Sequence, residues 1–340
     1  MDMKATTIYD IAKVCNCSPA TVSLALNDDK RVADKTKKRV RDIAKEMGYQ
    51  PSYFGRSLIK GKSNAIKVVV PDLHNPVFVN IVDGVEQYIN NIDCHMILEA
   101  TNNNVKRELS SFDSLLENKV DGIIISPIYE KEVTDYLLDK RIDLNRIVYV
   151  GNTCTNSDKI HYYAADSRKG AYLGVKNMIE NGCKRVAFLA PTVEKLQGSK
   201  RRAGYLEAME EFGLVRDENL LINCKQEFAE IYRYAYKLIR EQKADGIFCL
   251  YDYAALPVLK AAVDIGVRVP DDLMVTGYDN IDLGEYFERP LTTVDPHQKA
   301  QGYHAAELLM GLLNGEDCPV HNIMEPTLIV RSTTRKSGIN

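Results

Sequence analysis

The sequence predicts an α/β protein: a small all-α N-terminal headpiece followed by a two-lobed body of parallel sheets flanked by helices. Three observations carry this. The first 62 residues hold only short helical patterns, with none of the longer β-branched runs that appear later. From Ala65 onward, apolar runs of four to six residues alternate with amphipathic helical stretches. Strands buried on both faces read as unbroken apolar runs, and their crossovers supply the helices, so this rhythm marks a parallel sheet. The rhythm then restarts near Ala165-Asp166, and seven strand candidates exceed one compact unit, so two lobes are expected.

The headpiece elements follow in order. Ile8, Ile11, Ala12 and Cys15 fall at helical spacing behind Thr6 and Thr7, either of which can cap the first turn. After the polar break Asn16-Cys17, Ser18 can serve as N-cap with Pro19 at the first helical position, and Val22, Leu24, Ala25 and Leu26 supply the apolar residues. Two short helices thus join through a tight turn. A third is expected from about Asp34 to Met47, where Val40, Ile43, Ala44 and Met47 form one stripe and Gly48 stands where a left-handed residue ends a helix. Residues 49 to 63, YQPSYFGRSLIKGKS, read as a linker able to form one or two helical turns. Nucleation is costly, so a helix this short needs a partner to persist.

In the body the strand candidates are Ile66 to Val70, His95 to Glu99, Gly122 to Ile125, Arg146 to Val150, Arg185 to Leu189, Gly246 to Leu250 and Leu273 to Thr276. A late segment, Leu291 to Val294, and a helix from about Gln298 to Leu313 are expected to cross between the lobes.

Composition narrows the function classes. The chain has 340 residues, 45% hydrophobic and 27% charged, with 12 prolines, which excludes a short peptide or a wholly disordered chain. Residues 1–62 carry 13 Lys/Arg against 7 Asp/Glu, a net +6, whereas the remainder carries −9. A basic head on an acidic body points to nucleic acid or an anionic membrane as the head's partner. The 8 cysteines are scattered, with no C-x-x-C pair and no histidine at zinc-finger spacing, so no structural metal is expected. No charged and apolar leader and no apolar run near 18 residues occur, so a cytoplasmic protein without membrane spans is expected. No two glycines lie two apart, which removes the dinucleotide fingerprint, and H-E-x-x-H and G-x-S-x-G are missing. GRSLIKGKS, from Gly55, has five rather than four residues between its glycines and no strand before it. No enzyme activity and no cofactor are expected.

The segment TIYDIAKVCNCSPATVSLALN, Thr7 to Asn27, resembles the DNA-binding domain of the lactose/galactose repressor (LacI/GalR) family. GYQPSYFGRSL, residues 48 to 58, resembles that family's hinge. The likeness continues through VVVPDLHNPVF (68–78), VDGIIISP (120–127), RRAGYLEAM (201–209), VPDDLMVTGYDN (269–280) and RPLTTVDP (289–296), so it covers essentially the whole chain. It implies a helix-turn-helix domain at 1–49, a hinge helix at 50–63 and a periplasmic-binding-protein-like effector and dimerisation domain at 64–340. The N-subdomain is expected at about 64–164 plus 296–325, and the C-subdomain at about 165–295 plus 326–340.

By the resemblance, Pro19 and Ala20 face base edges in a major groove, and Thr7, Tyr9, Ser18, Thr21, Ser23 and Asn27 contact phosphates or fix the motif. Leu24 stands where relatives commonly carry Arg, so a guanine contact worth roughly 1–3 kcal/mol of discrimination is lost and the operator must differ. In the hinge, Ser52 can cap, Arg56 and Lys60 meet backbone, and Leu58 occupies the minor-groove wedge position that bends DNA. Gly55, where relatives often have Ala, costs about 0.8–1 kcal/mol of helix formation, so the hinge is expected to order only on DNA.

Two-lobed α/β bodies bind small molecules outside the carboxyl ends of their strands. The resemblance places Arg201 and Asp279 there, with Arg202 as the fallback for Arg201. A fork of donors beside a carboxylate suits a polyol or sugar. Relatives usually show Asn-Asp where this chain has Tyr251-Asp252, so Tyr251 adds an aromatic face. With no tryptophan in the chain, Phe78, Tyr251 and Tyr278 are the available stacking platforms, and Asp252 either contacts ligand or caps a helix. The expectation is therefore a cytoplasmic, dimeric repressor of a pseudo-palindromic double-stranded DNA operator, controlled by a small effector, a sugar or sugar derivative. A catabolite-control-type regulator governed by a protein corepressor, and a solute-binding protein, stay open as alternatives.

Overall fold

The computed structural model describes residues 6–49, 63–151, 157–191 and 195–334, without the side chains of 195–199. The chain divides into two compact units, Met1–Ser63 and Asn64–Asn340.

In the first unit, helices α1 (Ile8–Cys15), α2 (Pro19–Leu26) and α3 (Asp34–Glu46) surround a core of Ile11, Ala12, Cys15, Val22, Ala25, Val32, Val40 and Ala44. Thr7, rather than Thr6, caps α1, in a capping box with Asp10: the Thr7 amide donates to Asp10 Oδ2 at 2.9 Å. The turn is made by Asn16 in the left-handed region, φ 50°. Ser18 Oγ then accepts from the Thr21 amide at 3.0 Å, and Pro19 starts α2. Lys37 is buried on the core face of α3, held by Asp28 Oδ1 at 3.2 Å and the Asp28 carbonyl at 3.3 Å. The apolar pattern gave no sign of it.

The second unit contains β1 (Ala65–Val70), β2 (His95–Ala100), β3 (Gly122–Ile125), β4 (Ile147–Val150), β5 (His161–Ala165), β6 (Val186–Pro191), β7 (Leu221–Cys224), β8 (Gly246–Cys249), β9 (Met274–Tyr278), β10 (Thr292–Asp295), β11 (His321–Met324) and β12 (Thr327–Ile329). They form two six-stranded sheets, β11-β5-β4-β3-β1-β2 and β12-β10-β9-β8-β6-β7. Every pairing is parallel except that of β10 with β12. Each sheet is covered on both faces by helices.

The period-two alternation of strands sorts the side chains. In the first lobe, Ile66, Val68 and Val70 join Ile124 and Val148 under the helices Pro76–Ile89 and Gln298–Leu313. These helices approach closely at two glycines: a Cβ at Gly84 would fall on the Lys299 carbonyl, and one at Gly302 on that of Ile81. Lys67, on the opposite face of β1, is buried and donates to Glu99 Oε2 at 2.7 Å and to the Ser111 carbonyl at 3.0 Å. In the second lobe, Leu189, Ile247 and Val275 face the helices Phe228–Arg240 and Asp252–Ile265. Phe188, Phe248 and Met274 face Ser167–Glu180 and Lys195–Glu211.

Several strands differ from the sequence reading. β5, β7, β11 and β12 were not among the candidates; β7, β11 and β12 are short edge or near-edge strands with exposed positions, and β5 reads His-Tyr-Tyr-Ala-Ala. β2, whose apolar run suggests burial, is itself an edge: Ile97 and Leu98 are 37% and 40% exposed. An apolar run records β-propensity as well as burial.

Both sheets reverse strand order at one point, between β1 and β3 in the first and between β6 and β8 in the second. Crevices form outside the carboxyl ends of strands at such points. The chain passes between lobes after β5, after β10 and between β11 and β12. The crossings are tied together: the Asp166 amide donates to the Met324 carbonyl at 3.0 Å, and His297 Nε2 lies 2.9 Å from Thr327 Oγ1.

Candidate functional site

In the headpiece, the residues expected at DNA lie on and around the N-terminal end of α2. Ser18 and Ala20 are exposed, Pro19, Thr21 and Ser23 half-buried. Ser18 Oγ and Thr21 Oγ1 are 2.9 Å apart, so the cap and the next turn form one polar cluster at a helix N-terminus, where backbone amides favour anions. Thr7 and Asn27 are exposed, and Asn27 Nδ2 donates to the Ser23 carbonyl at 3.0 Å, closing α2. Tyr9 is 69% exposed, so packing does not account for it. Arg31, Lys37 and Arg41 are engaged by Asp28 and Asp29. Lys13, Lys30, Lys35, Lys38, Arg39 and Lys45 are exposed and form no ion pair among the described residues. Among the described residues these six carry the head's unpaired positive charge. Ser52, Gly55, Arg56, Leu58 and Lys60 lie outside the described residues.

In the body, a cavity of about 540 Å³ opens between the two switch points. Phe78, Arg201, Tyr251, Asp252 and Asp279 all contribute to its wall. Arg201, from the helix Lys195–Glu211, is buried. Its guanidinium carbon stands 3.6 Å from the centre of the Tyr278 ring, Nη1 donates to the Leu250 carbonyl and Nη2 lies 3.4 Å from Asp279 Oδ1. Nε has no acceptor among the described residues. Arg202 does not line the cavity.

Asp279 follows β9 with φ 108°, and Asn280 with φ 49°. Two consecutive positive values cost of order 1–3 kcal/mol each for non-glycine residues and persist only where surroundings enforce them. Here the Asp279 amide donates to the Val294 carbonyl at 2.8 Å, and Gln298 Nε2 donates to its carbonyl at 2.7 Å. Burial raises the Asp279 carboxyl to about 6, against the opposing pull of Arg201.

Asp252 lines the cavity and is also bonded within the protein. It is fully buried, with Oδ1 accepting from Thr293 Oγ1 at 2.6 Å and Oδ2 from the Ile281 amide at 2.9 Å. Each oxygen thus accepts one bond from within the protein, and the bond to Ile281 ties down the loop that carries Asp279. Gly277 makes room for it, since a Cβ there would fall on Asp252 Oδ1. Burial, then nearby Asp279, drives the Asp252 carboxyl well above its ordinary value. Tyr251 is half-buried, packs against both cores of the second lobe and has its phenol pushed up by burial. Tyr278, one of the expected platforms, supports Arg201 from within the core instead.

The sequence reading missed Phe228, which is 54% exposed at the cavity, together with Asp72, His74, Asn75, Asn103, Ser126, Gln226, Gln298 and Gln301. Asp72 and His74 form a pair, with Asp72 Oδ1 2.8 Å from both the His74 amide and Nδ1. Burial opposes ionisation of Asp72, but these bonds outweigh it and hold the carboxyl below its ordinary value. A polar residue in a loop carries no mark that a cavity will close over it; only the segment VVVPDLHNPVF hinted at this wall.

A helix-turn-helix unit preceding a two-lobed, cleft-bearing α/β unit is the build of a DNA-binding transcriptional regulator. Residues 7–52 match the family described as bacterial regulatory proteins, lacI family, and residues 175–334 match the periplasmic binding protein-like domain. The HTH-type transcriptional repressor PurR of Vibrio atlanticus is 31% identical over 97% of this chain and 98% of its own length. That of Vibrio parahaemolyticus is 32% identical over 97% and 99%. The crystal structure of the lac repressor dimer bound to operator and the anti-inducer ONPF superposes with a TM-score of 0.84 at 21% identity, covering 97% of this chain and 99% of that one. The chain belongs to the LacI family, and it is a transcriptional regulator of the kind that family comprises. Among the described residues no helix is long and apolar enough to cross a membrane.

Proposed function

We propose that this chain is a homodimeric, cytoplasmic repressor whose two heads read a pseudo-palindromic operator, and whose grip is set by a small effector, a sugar or sugar derivative, held between the lobes. The observation that carries the effector reading is the meeting of Arg201 and Asp279, 78 residues apart, in one cavity. A guanidinium donates and a carboxylate accepts, so together they fix hydroxyl groups, and Phe78 and Tyr251 offer flat apolar faces for a ring. The same aromatic walls favour a flat heterocyclic base as the second reading.

For the operator, Pro19 and Ala20 are the residues facing base edges. Thr7, Tyr9, Ser18, Thr21, Ser23 and Asn27 are proposed to hold phosphates or fix the motif, and in the hinge Ser52 is proposed as a cap, Arg56 as a backbone contact and Leu58 as the minor-groove wedge. One short reading helix buries too little for tight specific binding, which supports two heads on one site. Lobe closure would change the spacing of the two hinges, and an effector alters DNA affinity only by the difference in its affinity for the two body states. Selection of bound duplexes from a random pool, followed by competition with neutral sugars, tests this. A consensus with twofold symmetry whose binding responds to a sugar is expected; no preference among duplexes at moderate salt refutes it.

A further inference from the structure

Two of the headpiece cysteines are neighbours in space at the turn that carries α1 into α2. Cys15 ends α1, Asn16 takes the left-handed conformation at φ 50°, and the Cys17 amide folds back to donate to the Ala12 carbonyl at 3.1 Å. This tight return puts both side chains on the same small core, Cys15 buried within it and Cys17 half-buried at its edge. Both are free thiols, and they stand within hydrogen-bonding reach of each other. Burial, then Cys17, holds the Cys15 thiol above its ordinary value, while the exposed Arg39 pulls the other way. Neither sulfur caps a helix; Thr7 and Ser18 do that.

We propose that Cys15 and Cys17 form an oxidation site, closed by a peroxide to a reversible disulfide that loosens the head's grip on DNA. The half-buried Cys17 is the sulfur that a peroxide reaches. Its thiolate attacks one peroxide oxygen, the O–O bond breaks, and Cys17 becomes a sulfenic acid while hydroxide leaves and takes up a proton to become water. Cys15, shielded from the oxidant, then attacks the sulfenic sulfur. The S–S bond forms, the S–O bond breaks, and the departing hydroxide takes the Cys15 proton as a second water. The two thiols have lost two electrons and the peroxide has gained them. Bonding brings the sulfurs to about 2.05 Å, so Cys15 has to leave the core or Cys17 has to turn toward it. Either motion displaces the residue next to Ser18, whose Oγ caps α2 through the Thr21 amide. A ring closed over one intervening residue is strained, and strained disulfides are readily reduced, so thiols reopen it.

The test treats the reduced full-length protein with hydrogen peroxide, blocks free thiols by alkylation and digests with trypsin. Cleavage after Lys13 and Lys30 releases VCNCSPATVSLALNDDK, residues 14–30, which holds Cys15 and Cys17 and no other cysteine. This peptide is expected to resist alkylation, to weigh two hydrogens less, and to return to two alkylated thiols after dithiothreitol. In parallel, a duplex selected from a random pool by the reduced protein is titrated. Peroxide should weaken its binding by at least about fivefold, the worth of one helix cap, and dithiothreitol should restore it. Cys17→Ser should bind the duplex as the parent does and be indifferent to peroxide, although it keeps the other cysteines of the chain. A peptide that retains two alkylatable thiols, or that passes to a sulfinic acid at Cys17 with no disulfide, overturns the inference. So does a disulfide that leaves affinity unchanged, or a Cys17→Ser protein that loses affinity to peroxide as the parent does. A reduced protein that prefers no duplex removes the operator reading instead, and the peptide by itself then decides whether the site exists.

Discussion

Asp279 should stabilise function at the expense of the fold, and Asp279→Asn separates the two. The carboxyl is buried and titrates at about 6 rather than at its ordinary 3.8. Because the folded value lies above the unfolded one, the folded state holds this proton more tightly. The stability that protonation brings is fully present below about pH 4 and is lost as pH rises through 6. Asparagine keeps the shape and an acceptor for Arg201 but never ionises. It should therefore raise unfolding stability by about 3 kcal/mol at pH 7 and by about half that at pH 5, with little effect at pH 4. Urea denaturation of both proteins across this range measures the difference. Effector binding should fall by about 1–3 kcal/mol, because a hydroxyl donor on the ligand loses its charged acceptor. An Asp279→Asn protein less stable than the parent at pH 7, or a gain that does not shrink toward pH 4, would refute the assignment of an energetically costly carboxylate to this position.

Three further expectations follow from named contacts. Asp252→Ala should leave the Ile281 amide and Thr293 Oγ1 without acceptors, at about 1–3 kcal/mol each, and weaken effector binding through the displaced Asp279 loop, whereas Asp252→Asn should restore most of both; equal losses in the two variants, read by denaturation and calorimetry, would argue for a direct charge contact. Ser18→Ala should cost α2 about 1 kcal/mol and lower operator affinity, seen as faster amide exchange over residues 19–26 of the intact protein together with a weaker gel shift. Gly84→Ala should force two close-packed helices apart and lower stability by about 1–3 kcal/mol, with a reduced urea midpoint as the readout. An unchanged midpoint would mean that the helices can slide at no cost.

Legibility differed between the two units for a physical reason. In the headpiece, caps and turns are local: Thr7, Ser18, Pro19 and Asn16 act on backbone groups within four residues, so their spacing alone announces the helices. Lys37 escaped because its acceptor, the Asp28 carbonyl, comes from the preceding loop and no pattern marks a lysine that will be covered. In the body, interior strands such as β3 and β8 were readable as apolar runs, while β7, β11 and β12 were not, since an edge strand is half wet and its sequence resembles a loop. The cavity lining split the same way. Arg201, Asp279, Tyr251 and Phe78 sit in recognisable segments, but Phe228, Gln226 and Asn103 became neighbours only when separate loops converged.

The order of helices and strands, the positive head and the acidic body, and the membership of the chain in its family were all present in the order of amino acids, because propensity, capping and charge act over short distances along a chain. What Asp252 does was decided by tertiary structure alone. A carboxylate at the start of a helix has the same local chemistry whether it faces a ligand or an amide 29 residues away, and only the approach of β10 and the Ile281 loop bonded both of its oxygens within the protein. The charge balance of the cleft arose likewise, since Asp72, Arg201 and Asp279 belong to three distant segments whose mutual fields exist only once both sheets have folded and brought their switch points face to face.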